Sequence, residues 1–299
     1  MWYNFFMNKF NQAFQNNFYL TREFADFCSR VSKIPLKKKT IGNQEIFTLK
    51  NKNISIGNYS DFFCQEMKKQ KIQYMRVLPE INNEVKRSSY MEYSIFHKTT
   101  YSAAFKNYRT SFFHGLRESR KFPHQVEIIR QPHSRLIEEI YNIYTVQMKR
   151  RNSFLLPLSF FREFLDCPSS FLFLIKYKQK AIAYFCCFQN QDNVYASIGG
   201  GHPDFFSYKS SNKLYDELIQ YACRNNLNIH LGIGEQGSGY QKFKQNAGVI
   251  CYKTERFPNN EEILKIAAFL LKFRITGKFL YLTSKIFSPF LAYLIMPFT

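Results

Sequence analysis

Asn228 to Val249 reads NIHLGIGEQGSGYQKFKQNAGV and concentrates reactive side chains in a short stretch. Glu235 brings a carboxylate, Tyr240 a phenol, and Lys242 and Lys244 two amines, all within ten residues. Side chains of these types at this spacing suit proton transfer and the holding of an anion. The apolar residues Ile229, Leu231 and Ile233 predict a strand, with His230 on its opposite face. Gly232, Gly234, Gly237 and Gly239 predict a sharp turn, and YQKFKQN a short helix. A polar turn leaving a buried strand is where α/β proteins place their chemistry.

The glycine run G-x-G-x-x-G-x-G invites comparison with a dinucleotide-binding turn. A downstream acidic residue in a βαβ unit is missing and the helix is short, so the run reads as a turn with positive φ angles. Lys242 reads as solvated.

The elements that must position these groups follow along the chain. Residues 4–31 predict one helix. IFTL and ISIG, within 41–56, predict short strands, and Asn58 to Asp61 starts a helix. Gln73–Leu78 and Tyr90–His97 predict strands. Residues 101–121 predict a helix rich in Lys106, Arg109, Arg117, Arg120 and Lys121, which reads as a solvated face or as a surface for a polyanion such as tRNA.

The pattern then sharpens. Val126–Arg130 predicts a strand, Ser134–Arg151 an amphipathic helix, and Leu158–Leu165 a short helix. Phe171–Tyr177, Ala181–Phe188 and Val194–Ile198 form a meander with polar turns. Ser210 to Asn225 predicts a helix, Ile229–Ile233 a strand, Tyr240–Asn246 a helix and Val249–Arg256 a last strand.

The chain has 299 residues, 45% hydrophobic, with a formal charge of +20. It is long enough for a real core and too apolar to be disordered. The charge favours an anionic partner without choosing one. Seven cysteines without a CxxC pair read as buried thiols in a reducing compartment, and no metal site is expected. The N-terminus lacks a signal-peptide core, so the expected location is the cytoplasm, with peripheral contact at the inner membrane face.

Four segments, in order, resemble the FemAB-like branch of the GNAT acyltransferases: NYRTSFFHGLRESRKF, YTVQMKRRNSFLLPLSFFREF, KQKAIAYFCCF and GYQKFKQNAG. The resemblance spans roughly residues 100–257, and the element order from Val126 (β, α, α, β, β, β, α, β, α, β) agrees with it. It implies an α+β fold of tandem GNAT-like halves: a degenerate half over 1–99, a complete GNAT domain over 100–257 and a tail over 258–299. It also implies transfer of an acyl group from a thioester, on coenzyme A or acyl carrier protein, to an amine acceptor, with an envelope precursor among the candidates. The alternatives are an aminoacyl-tRNA donor feeding a peptidoglycan-type precursor, and a non-catalytic scaffold that binds lipid or nucleic acid.

By the same resemblance the donor lies in a splay between Val194–Ile198 and Ile229–Ile233. Lys244 would neutralise an oxyanion or a donor phosphate, Glu235 would serve as base, and Tyr240 would protonate the leaving group. Gly199, Gly200, Lys209, Ser210 and Ser211 are the donor-binding candidates. Here the sequence departs from the acetyl-CoA pattern. The segment GGGHPDFFSYKSSN has its glycines early and aromatics where a pyrophosphate loop is usual. The helix start at Ser210 and Lys209 beside it can still hold a phosphate.

Residues 264–299 contain Lys265, Lys272, Arg274, Lys278 and Lys285, no acid, and many Leu, Ile and Phe. The segment reads as interfacial, docking on an anionic membrane or packing on protein.

Overall fold

The computed structural model describes residues 2–42, 44–50, 52–79, 91–151, 153 and 155–257. The tail assigned to 258–299, with its membrane-docking segment, lies outside the described residues.

The first part contains α1 (Trp2–Ala13), α2 (Arg22–Ser32), β1 (Leu36–Ile41), β2 (Gln44–Leu49), β3 (Lys52–Gly57), α3 (Asp61–Lys69), β4 (Gln73–Val77) and β5 (Met91–Phe96). The single helix expected over 4–31 is two helices. Asn16 takes a left-handed φ of 53°, Asn17 caps a 3-10 turn over Phe18–Leu20, and the Thr21 side chain accepts from the Phe24 N–H to start α2. The sequence reading has no strand over Leu36–Ile41. That strand is LKKKTI at the sheet edge, where Lys37 and Lys38 are exposed and hide the strand pattern.

Next come α4 (Tyr101–Lys106) and α5 (Thr110–Ser119), where one helix over 101–121 was expected. The break has a tertiary cause. The Arg109 N–H donates to Asn246 O (2.9 Å), drawing the 107–109 link onto the neighbouring segment.

The remainder is β6 (Gln125–Ile129), α6 (Ser134–Arg151), α7 (Leu158–Leu165), β7 (Ser170–Tyr177), β8 (Lys180–Gln189), β9 (Asn193–Gly201), a 3-10 turn (Pro203–Tyr208), α8 (Ser210–Arg224), β10 (Asn228–Glu235), α9 (Gly239–Asn246) and β11 (Ile250–Phe257). The order of elements from Val126 agrees with the sequence reading throughout.

The eleven strands of the described residues form one mixed sheet, β1-β2-β3-β4-β11-β5-β10-β9-β8-β7-β6. β11 lies between β4 and β5, so residues 1–99 and the rest of the chain share the sheet. Two apolar layers cover its larger part. One packs Phe10, Phe27, Ile140 and Phe161, from α1, α2, α6 and α7, onto Leu172, Leu174 and Tyr184. The other packs Phe112, Leu214 and Leu218, from α5 and α8, onto Phe171, Phe173 and Phe185. The period-2 alternation of β7 and β8 feeds both layers, which is why these strands read as continuous apolar runs.

Candidate active site

β9 and β10 are parallel neighbours that separate. They pair only at Asn193–Asn228, Val194–Ile229 and Tyr195–His230. Beyond these the edge of β9 facing β10 has no ladder partner there, and a cleft of about 620 Å3 opens. Ser197 to Gly200 line one wall, and Leu231 to Ile233 the other. The cleft crosses the sheet. Gln147 and Arg151 of α6 reach it from one layer, and Ser210, Ser211 and Tyr215 of α8 from the opposite one.

The divergence begins at an irregularity in β10. Its register against β5 shifts between His230 and Ile233, and Gly232 takes φ 67°. A positive φ of that size favours glycine, and it turns the Leu231 carbonyl out of regular pairing. The Lys244 amine donates to that carbonyl at 2.7 Å and to Ser94 Oγ at 3.3 Å. Its ammonium also stands 4.3 Å from the centroid of the Tyr240 ring. Lys244 is fully buried, and desolvation lowers its pKa to about 7, against a partial upward pull from Cys251 and Glu92.

Tyr240 lines the cleft, and its hydroxyl accepts from the Tyr215 hydroxyl at 3.0 Å. Its residue surface is 43% exposed, yet its hydroxyl end is desolvated, which holds its pKa above the ordinary value. Buried Tyr215 is pushed well above its ordinary value for the same reason.

Of the residues singled out in the sequence, Tyr240, Gly199, Gly200, Lys209, Ser210 and Ser211 all line this cleft. Lys244 and Glu235 do not. Lys244 is buried behind the Tyr240 ring, and Glu235 ends β10 opposite Met91 of β5. His230 faces the α1 layer. Its ring stacks on Tyr195 at 4.5 Å, with Nδ1 at 3.0 Å from Tyr93 OH and Nε2 at 2.9 Å from Ala13 O. Burial lowers its pKa to about 3, so it is a neutral structural ring that anchors α1 beneath the splay.

The glycines at the end of β9 are set by close approach rather than by φ. A Cβ on Gly199 would overlap the Phe185 ring and the Tyr184 carbonyl, and one on Gly200 would overlap the Gln147 amide. Lys209 precedes α8 in a left-handed conformation (φ 52°), and Ser210 Oγ is buried without a hydrogen-bond partner. The aromatics that stand where a pyrophosphate loop is usual fold into the 3-10 turn, where Phe205 and Tyr208 pack with Tyr177.

Sequence reasoning missed Gln147, Arg151, Ser94 and Gln241. Gln147 is a polar residue on the apolar stripe of α6 (Ile140, Ile143, Tyr144, Gln147), a signal visible in the sequence. Gln241 is buried and links to Ser94 Oγ at 3.1 Å; nothing local marks it out. Among the described cleft-lining residues the charged groups are Arg151 and Lys209, with no carboxylate or imidazole. Among the described residues no group of three or more His, Cys, Asp or Glu side chains is arranged to hold a metal. No described helix is long and apolar enough to cross a membrane.

Comparison with solved structures gives the fold. The structure of FemX superposes with a TM-score of 0.59 at 8% identity, over 84% of this chain and 94% of that one. The C-terminal domain (DUF2156) of a protein from Agrobacterium fabrum assigned as a lysylphosphatidylglycerol synthetase gives 0.53 at 11% identity, over 89% and 96%. The chain shares the mixed α+β fold of these structures. L-PGS from Bacillus licheniformis gives 0.51 at 10% identity, over 86% and 98%. No protein-family model matches the chain, and no curated protein is similar to it in sequence. At these identities the likeness concerns the fold, and the chemistry must be argued from the cleft.

Proposed function

We propose that this protein is a transferase that moves an acyl or aminoacyl group from an activated carbonyl donor to an amine. The observation that carries this reading is the splay of β9 from β10, which opens a through-sheet cleft at the start of α8. Such a cleft lets a donor enter over one layer and an acceptor over the other.

In this reading Lys209, Ser210 and Ser211 hold the anionic end of the donor, where the amino end of α8 adds its dipole. Gly199 and Gly200 let the donor and the neighbouring side chains approach the backbone of β9. An unpaired N–H on that edge polarises the donor carbonyl. The amine nitrogen attacks the carbonyl carbon, the carbon–sulfur or carbon–oxygen bond breaks, and the Tyr240 hydroxyl gives its proton to the leaving group. The amine's proton leaves through water. Lys244 acts indirectly, by fixing the Leu231 carbonyl and the Tyr240 ring. Glu235, outside the cleft lining, is the base that takes the amine's proton from the water, for an acceptor that enters past the 235–238 turn. Residues 1–99 are a reduced version of the same half-fold.

Acyl-CoA or an acyl carrier protein thioester is the first donor class. The aromatic turn at 203–208, in place of a glycine-rich loop, favours a second class, aminoacyl-tRNA. The name of one fold neighbour, a lysylphosphatidylglycerol synthetase, adds a lipid-linked acceptor to the envelope precursors already considered.

The test offers purified protein each donor class together with an amine, and reads the product by mass. Transfer from one class supports the reading and names the donor. Saturable ligand binding without transfer, under all three donors, moves the protein to the non-catalytic scaffold.

A further inference from the structure

We infer that Gln147 and Arg151 form the acceptor subsite, and that the acceptor is an amine bearing an anionic group close to its nucleophile. This rests on the transferase reading above.

The two residues lie one helical turn apart on α6, on the face that lines the cleft opposite α8. Gln147 is 3% exposed, and its Oε1 has no hydrogen-bond partner. Buried amide oxygens are nearly always satisfied, so an unpartnered one facing a cleft marks a place for a donor group. Its position depends on Gly200, because any side chain there would occupy the space of the amide. Gln147 therefore lies against β9, close to the edge where the donor carbonyl is polarised. An acceptor N–H donated to Oε1 holds the amine at that edge, and no proton passes to the amide.

Arg151 gives the second criterion. It is exposed and lines the cleft, where the described lining contains no carboxylate to pair with it. Guanidinium recognises carboxylate or phosphate through paired N–H donors. Residues at i and i+4 have Cβ atoms about 5–6 Å apart, so the two recognised groups sit within a few bonds of each other. Lys209, across the cleft on the α8 side, stays with the donor.

The experiment measures binding without a donor, by calorimetry or amide NMR shifts. β-Alanine and O-phosphoethanolamine carry amine and anion together. Butylamine, acetate and inorganic phosphate carry one each. The expected result is at least tenfold tighter binding of one bifunctional probe than of its single-group counterparts. The probe preferred tells carboxylate from phosphate. Arg151→Met is expected to reduce that probe to the affinity of butylamine, and Gln147→Met to that of the anion alone. Gln147→Leu, checked for an unchanged melting temperature, repeats the second arm with a different side chain. Equal binding of bifunctional and single-group probes, or binding indifferent to both substitutions, overturns the subsite. The two readings fail separately. A protein that binds as stated but acylates none of the probes loses the transferase reading and keeps the subsite. One that acylates butylamine as well as O-phosphoethanolamine keeps the reading and loses the subsite.

Discussion

The Lys244 amine caps the Leu231 carbonyl, at 2.7 Å, where β10 leaves β9. A carbonyl turned out of a buried ladder costs free energy unless something satisfies it. The lysine satisfies it from the second turn of α9, and the cleft can open without leaving that oxygen unpaired. Lys244 is thus a structural device of the splay as well as a source of charge.

That device carries a pH signature. The folded pKa of Lys244 is about 7, against 10.5 for the free side chain. Between these values the unfolded chain holds the extra proton, so this group makes folding more favourable as pH rises from about 7 towards 10. The slope reaches at most about 1.4 kcal/mol per pH unit. Lys244→Met is expected to lose this slope relative to wild type in urea titrations at pH 7, 8 and 9. Parallel curves for the two proteins would remove the buried-amine account.

His230 gives the acid counterpart. Its folded pKa is about 3, while the free ring titrates near 6.5. The unfolded state takes up the proton first, so stability falls as pH drops from about 6.5 towards 3. His230→Gln is expected to be less stable at pH 7, through lost contacts with Tyr93 and Ala13, and less sensitive to acid. Acid titrations followed by circular dichroism check this, and an unchanged acid midpoint relative to its own neutral stability would contradict it.

The glycines at the cleft separate steric from conformational roles. Gly200→Ala meets the Gln147 amide, and Gly199→Ala meets a ring and a carbonyl, so each is expected to cost about 1–3 kcal/mol. Gly239→Ala meets nothing within 4 Å at the start of α9 and is expected to be neutral or slightly stabilising. Thermal melts of the three variants give the order, and a costly Gly239→Ala would upset it.

Tyr240→Phe keeps the ring that faces Lys244 and removes the hydroxyl. If that hydroxyl protonates the leaving group, turnover falls by about 10²–10⁴-fold with little change in KM. Tyr240→Leu removes the ring as well and is expected to destabilise the fold in addition. A Phe variant with full turnover would leave Tyr240 a wall of the cleft.

Asp216 ties α4 and the link after it to α8. It is 1% exposed and accepts from the Tyr101 and Tyr108 hydroxyls, both at 2.9 Å, and from Gln220. Asp216→Ala strands two phenols and is expected to cost about 2–4 kcal/mol, read by urea unfolding. A loss under about 0.5 kcal/mol, the range of an ordinary surface change, would mean that the network contributes nothing.

By itself the sequence determined the element order from Val126 and the strand–glycine–helix unit at 228–246, whereas the splaying pair of strands was implied only by the family resemblance. These depend on local periodicity, on caps and on glycine placement, all of which operate over a few residues. It also marked Tyr240, Lys209 and Ser210, because turns and helix starts advertise themselves in composition. Only the tertiary structure decided that residues 1–99 join the same sheet through β5 and β11, since strand pairing over more than a hundred residues leaves no local trace. It divided the helices expected at 4–31 and 101–121, where an asparagine turn and a long-range bond to Asn246 overrode helical pattern. It put Lys244 behind Tyr240 rather than in the cleft, because the direction of a side chain from a short helix depends on what packs beneath it. It also brought Gln147 and Arg151 to the opposite wall, a meeting across the sheet that only the separation of β9 from β10 makes possible.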